Sequence, residues 1–174
     1  MGFKVTSEYD KKALIAMARV VRKTTRKKKS LRSHVFGWLI VVLGLLVSLP
    51  LGKETFTVDF RVIITWLAVL ATLFALLFED RLNAAATKKH LLPGAEKGTT
   101  VFEEEGFRSE TAVGTTTWAY DKIGLIAEQK EHIVFVFGDH HAQVYQKSGI
   151  DGGTAEEFLK FIEQKTGKTV VKVK

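Results

Sequence analysis

The chain has 174 residues, no cysteine, 26 lysines and arginines against 19 aspartates and glutamates, and a net charge of +7. That length has room for one small domain plus a short membrane segment. The missing cysteines exclude disulfides and cysteine metal sites, which fits a reducing compartment.

Residues 1–34 read as a cytoplasmic strand and a basic amphipathic helix. Apolar side chains alternate at Phe3 and Val5, and Ser7 with Asp10 resembles a helix-start capping box with Asp in place of Glu or Gln. The helix carries Ala13, Leu14, Met17, Val20 and Val21 on one side, at spacings of three and four. Eight basic residues then lie between Arg19 and Arg32. Among them Arg22, Lys23, Arg26, Lys27, Lys28, Lys29 and Arg32 are expected at the membrane surface. Two readings demand the same residues. The cluster is a topogenic anchor that snorkels into the headgroup region, or it is a surface that reads anionic lipid at about 1 kcal/mol per basic residue. No aromatic residue interleaves the run, so nucleic-acid binding is not expected.

Two uncharged apolar runs follow, VFGWLIVVLGLLVSLPL at 35–51 and VIITWLAVLATLFALLF at 62–78. Each would be about 25 Å long as a helix, at the short end for crossing a bilayer. Only ten residues, 52–61, separate them. The expectation is a transmembrane hairpin with 52–61 as its extracytoplasmic loop. A cleaved signal peptide is not the expected reading of the first run, because a long stretch precedes it and a second span follows. Basic residues concentrate before the first run and after the second, at Arg81, Lys88 and Lys89. Both termini are therefore expected in the cytoplasm, with the chain in the plasma membrane.

Small residues mark a packing face: Gly37, Gly44 and Ser48 on the first run, Thr65, Ala68, Thr72 and Ala75 on the second. An antiparallel hairpin would pair Gly37 with Ala75, Gly44 with Ala68 and Ser48 with Thr65. Pro50 stops the first helix, and Trp38 and Trp66 suit interfacial positions. Neither run carries an ionisable group, which argues against an ion pathway or proton relay.

Residues 79–98 read as a cytoplasmic helical linker closed by Pro93-Gly94. From Thr99 the pattern turns to alternation, with strands expected near 99–105, 107–113, 115–120, 123–130, 133–138 and 142–147. IVFVF at 133–137 has the content of a central strand. Thr154 and Glu157 form a second capping box, Phe158, Leu159, Phe161 and Ile162 give one apolar face, and Gly167 ends that helix. A short strand or tail is expected at 169–173. Residues 99–174 thus predict a small antiparallel barrel or sandwich of pleckstrin-homology-like (PH-like) type with a C-terminal capping helix. The whole chain is expected to be an α+β membrane protein.

The order of these parts, with TTTWAYDKIGLIAEQKEHIVFVF, AQVYQKSGI and EEFLKFIEQK, resembles the YcxB-like family of bacterial membrane proteins. The matching features are Tyr120, Asp121 and Ile123, the apolar strand 133–137, and a strand ending in Lys147. Where the family pattern has proline before that lysine, this chain has Gln146. The resemblance implies the PH-like architecture and carries no catalytic activity with it.

Signs of chemistry are weak. His132, His140 and His141 beside Asp139 invite a metal, yet adjacent histidines on a strand point to opposite faces. A polar hairpin turn explains them better. Glu103, Glu104 and Glu105 read as a solvated strand end. Gly149, Gly152 and Gly153 before a helix lack the lysine and hydroxyl of a phosphate loop. No catalytic residue, cofactor or metal is expected. The function expected is non-enzymatic binding or regulation at the bilayer, with anionic headgroups or another membrane protein as partner. The alternatives are an accessory subunit of a transporter or secretion complex and, third, a membrane-bound enzyme.

Overall fold

The computed structural model describes residues 2–49, 59–138 and 141–174. The loop 52–58, Pro50, Asp139 and His140 lie outside the described residues, so the expectations placed on them go no further. The described residues form an α+β structure with five α-helices and two β-sheets.

Strand β1 (Phe3–Glu8) alternates buried and exposed residues, which puts Phe3, Val5 and Ser7 inward. Helix α1 (Lys11–Lys23) follows, and its N-cap is Asp10, whose carboxylate accepts from the Ala13 amide at 2.7 Å. Ser7, expected at the start of the cap, belongs to β1 instead, where the strand continues past Val5. Ala13, Leu14, Ala16 and Val20 are buried on α1.

Helix α2 (Lys27–Ser48) begins after one turn at Thr24–Arg26, so the basic residues 27–32 are the first turns of the same helix that carries the apolar run. Helix α3 (Phe60–Leu77) returns antiparallel in sequence order and packs on α2. Its N-cap Asp59 accepts from the Val62 amide at 3.0 Å. Both helices are long and apolar enough to cross a membrane. Helix α4 (Glu79–His90) starts one residue after α3 and packs against α1.

The remaining strands are β2 (Lys97–Phe102), β3 (Gly106–Thr111), β4 (Gly114–Ala119), β5 (Leu125–Glu128), β6 (His132–Val136), β7 (Ala142–Gln146), β8 (Ile150–Asp151) and β9 (Val170–Lys172), with α5 (Ala155–Thr166) before the last. One sheet has the order β4-β3-β2-β1-β8 and the other β7-β6-β5-β9. The N-terminal strand therefore sits inside the domain read as 99–174: Val5 pairs with Thr100 of β2 and with Ile150 of β8. Gly149 permits that approach, because a Cβ there would stand 1.9 Å from the Thr6 carbonyl oxygen.

The barrel alternative is corrected. Among the described residues no ladder joins the two sheets, since β9 takes the β5 edge in parallel register and β8 ends the other sheet. The result is an open, two-layered arrangement. Between the layers lie Phe3, Val5, Phe102, Phe107, Phe135 and Tyr145, closed at one end by Phe158 and Ile162 of α5. Thr154 and Glu157 make the expected reciprocal cap, and Gly167 ends α5 at φ 67°, a left-handed conformation that suits glycine.

A second apolar cluster explains IVFVF. All five residues of β6, His132 to Val136, are buried, and Phe137 just past its end is partly buried. Ile133 and Phe135 face the inter-sheet core, while Val134 and Val136 face Ala13 and Val20 of α1 with Val144 of β7. A strand covered on both faces reads as a continuous apolar run. Gln146, at the position where proline was noted, links the layers: its amide accepts from the Glu8 N–H at 3.0 Å and donates to the Glu8 carbonyl.

Candidate binding cleft at the helical junction

The sequence LFED at 77–80 with one break at Phe78 sets two carboxylates where α3 gives way to α4. Asp80 is the stronger tie. Arg22 Nε donates to its Oδ1 at 2.6 Å and Nη2 to its Oδ2 at 2.9 Å, and Arg19 Nε approaches at 3.4 Å. The hydrogen bond to Asp80 raises the Arg22 pKa. Burial works to raise the Asp80 pKa, but the hydrogen bonds and charges of Arg22 and Arg19 outweigh it and hold the carboxyl below its ordinary value. Glu79 accepts from the Ser30 hydroxyl at 3.0 Å, with His34 Nδ1 at 3.6 Å and Arg22 Nε at 3.8 Å. Two acidic residues thus clamp α1, α2 and α4 together.

Beside this clamp lies a cleft of about 600 Å³. Helix α1 contributes Met17 and Val21, α2 contributes Arg26, Lys29, Ser30 and Ser33, α4 contributes Asn83, Thr87 and His90, and the β7 side contributes His141 and Gln143. A second groove of about 900 Å³ shares Lys29, Ser33 and Glu79 with it. That groove adds Lys28, Arg32, Phe36 and Ile40 of α2 and Thr72, Ala75 and Leu76 of α3. One opening is polar and cationic. Its neighbour runs down the apolar hairpin.

The seven basic residues expected at the surface separate into distinct roles. Arg22 is held by Asp80, and Lys23 Nζ donates to the Lys174 carbonyl at 2.5 Å. Arg26 and Lys29 line the cleft, while Lys28, Lys29 and Arg32 line the groove. Lys27 is exposed and lines neither.

The hairpin face differs from the sequence pairing by about one residue on α3. Gly37, Val41 and Ser48 of α2 are buried with Val62 and Val69 of α3. A Cβ on Gly37 would meet Leu76 at 2.7 Å, and one on Gly44 would meet Val69 at 2.5 Å and Thr65 at 3.6 Å. Glycine on one helix thus leaves a hole that a large side chain of the other fills, instead of facing a second small residue. Ala68 and Ala75, expected opposite Gly44 and Gly37, are exposed. Ser48 is buried and its hydroxyl donates to the Gly44 carbonyl at 2.7 Å; Thr65 and Thr72 donate likewise to Arg61 and Ala68 carbonyls, both at 2.8 Å.

Among the described residues no group of three or more metal-ligating side chains gathers. His141 stacks on Trp118, ring centroids 5.1 Å apart, and burial lowers its pKa. His132 sits on β6, also lowered by burial. Sequence reasoning missed the Glu79-Asp80 clamp and the α4 lining. The available signal was an acidic pair set directly after an apolar run, opposite in charge to the cluster before the other. No protein-family model, curated protein or solved structure matches this chain.

Proposed function

We propose that the chain is an integral two-span protein of the plasma membrane, with both termini in the cytoplasm and a non-enzymatic α+β domain that binds a ligand or partner at the membrane surface. One observation carries this reading. Apart from Val113 and Val171, the large apolar residues of the β domain are buried or partly buried, whereas those of the hairpin stand open: Phe36 is 65% exposed, Leu67 62% and Leu77 71%. Water does not favour an apolar surface of that extent, and lipid does. The basic residues at the start of α2 and end of α4 support the cytoplasmic placement of the domain.

The meanders β2–β4 and β5–β7 followed by α5 support a PH-like domain and membership of the YcxB-like family. A binding role is supported by the state of the carboxylate beside the cleft. Asp80 is pushed toward the charged form, opposite to what a general acid needs. A second reading, an accessory subunit whose spans contact a larger complex, draws on Ala68 and Ala75, which face outward on α3 and would admit another helix closely.

Alkaline carbonate extraction and reporter fusions test the first reading. Carbonate-resistant retention, with a reporter after Lys174 cytoplasmic and one inserted at Thr55 outside, is the expected result. Release by carbonate, or the opposite pair of locations, overturns it.

A further inference from the structure

We propose that the cationic cleft and the apolar groove form one site for an anionic glycerophospholipid, its phosphate held at Lys29 between Arg26 and Arg32 and an acyl chain lying over Phe36 and Ile40. The inference rests on the membrane-spanning reading above and names the ligand class of that surface.

The geometry follows from α2. Lys29, Ser33, Phe36 and Ile40 fall at i, i+4, i+7 and i+11, a single stripe on one helix face. Eleven residues of rise place Ile40 about 16 Å from Lys29 along the axis, which spans a headgroup phosphate and the upper part of an acyl chain. The stripe changes from cation to hydroxyl to apolar side chain in the same order as a phospholipid entering the bilayer. Thr72 and Leu76 of α3 form the opposite wall.

Charge complementarity selects the headgroup. Among the described residues Arg26, Lys28, Lys29 and Arg32 make no ion pair, while their neighbour Arg22 is bound to Asp80. The one carboxylate shared by both openings, Glu79, is engaged by the Ser30 hydroxyl and stands near His34 and Arg22. It is a single carboxylate set against the four cations Arg26, Lys28, Lys29 and Arg32. Four cations without an ion pair, shared between two openings that meet at Lys29 and continue into an apolar floor, suit a phosphate ester carrying a chain. A soluble phosphate would use only the upper half.

The test uses the full chain in nanodiscs of equal phosphatidylglycerol and phosphatidylcholine, with lipid retained after release read by native mass spectrometry. The wild type is expected to keep one phosphatidylglycerol in preference to phosphatidylcholine. The Lys29→Gln/Arg32→Gln variant should lose that preference about thirtyfold, the change for two basic contacts near an anionic surface. Ile40→Trp, which fills the groove and leaves every charge in place, should lose it too and keeps the test alive if the double variant does not fold. Lys27→Gln/Lys88→Gln removes the same charge outside both openings and should retain it. An equal loss in that control would mean diffuse attraction and overturn the proposal. So would phosphatidylglycerol retained by Ile40→Trp but displaced by soluble glycerol phosphate. A carbonate-extractable chain would defeat the membrane reading itself, whereas an inserted chain without lipid preference defeats only this inference.

Discussion

Replacing Asp80 by asparagine cuts the tie that fixes the α+β domain to the base of the hairpin. At an effective dielectric near 20, two unit charges about 4 Å apart attract by about 4 kcal/mol before desolvation is counted. The side chains of Arg22 and Asp80 keep 25% and 14% of their exposure, so the pair is neither free in water nor sealed from it. Exposed pairs contribute about 0–1 kcal/mol, and removing one partner of a buried pair costs about 3–5 kcal/mol. Asparagine keeps one acceptor for Arg22, which reduces the loss further. The expected cost is about 2 kcal/mol, a thirtyfold rise in local opening. Amide hydrogen exchange of α1 and α4 in detergent reads this directly, with the inter-sheet amides as an internal reference. A double-mutant cycle with Arg22→Gln isolates the pair. A coupling under about 0.5 kcal/mol, or unchanged α1 protection in Asp80→Asn, would refute the clamp.

Three further outcomes follow from the same geometry. Gly44→Ala should loosen the hairpin by about 1–3 kcal/mol through overpacking on Val69, and Val69→Ala should restore it; cysteines at 44 and 69 should cross-link more readily than cysteines at 44 and 68, and the reverse order would refute the face. Residues 98–174 expressed alone should expose apolar surface and aggregate, because β2 and β8 lose β1 between them and Val134, Val136 and Val144 lose α1; co-expression of residues 2–24 should rescue solubility, and a monodisperse folded fragment without them would refute the assignment. His132 and His141 have pKa values lowered by burial, so below the ordinary value near 6.5 the unfolded chain binds more protons than the folded one. Stability should therefore be full above pH 6.5 and fall as pH drops from there through the folded values; denaturation at pH 7.5 and 5.5 checks the sign, and a His132→Gln/His141→Gln variant that keeps the whole slope would refute it.

Much of this chain is written locally. The apolar runs at 35–51 and 62–78 specify α2 and α3 because a helix of such composition satisfies its own backbone whatever surrounds it. The strand alternation from Thr99, the Thr154–Glu157 cap and the stop at Gly167 depend on neighbours a few residues away, and each stands in the structure. Contacts between distant residues were a different matter. Nothing near Phe3–Glu8 says that it inserts between β2 and β8, since edge hydrogen bonds accept any strand of fitting register and only the assembled core decides which. The small residues of α2 announced a packing face, but not that Val69 and Leu76 would fill it, because a glycine hole is matched by volume and not by likeness. Charge announced a basic surface at residues 22–32. Only the packing of α1 on α4 decided that Arg22 closes on Asp80 while Arg26, Lys29 and Arg32 stay open, since a cation's role is set by the carboxylate the fold brings within 3 Å of it.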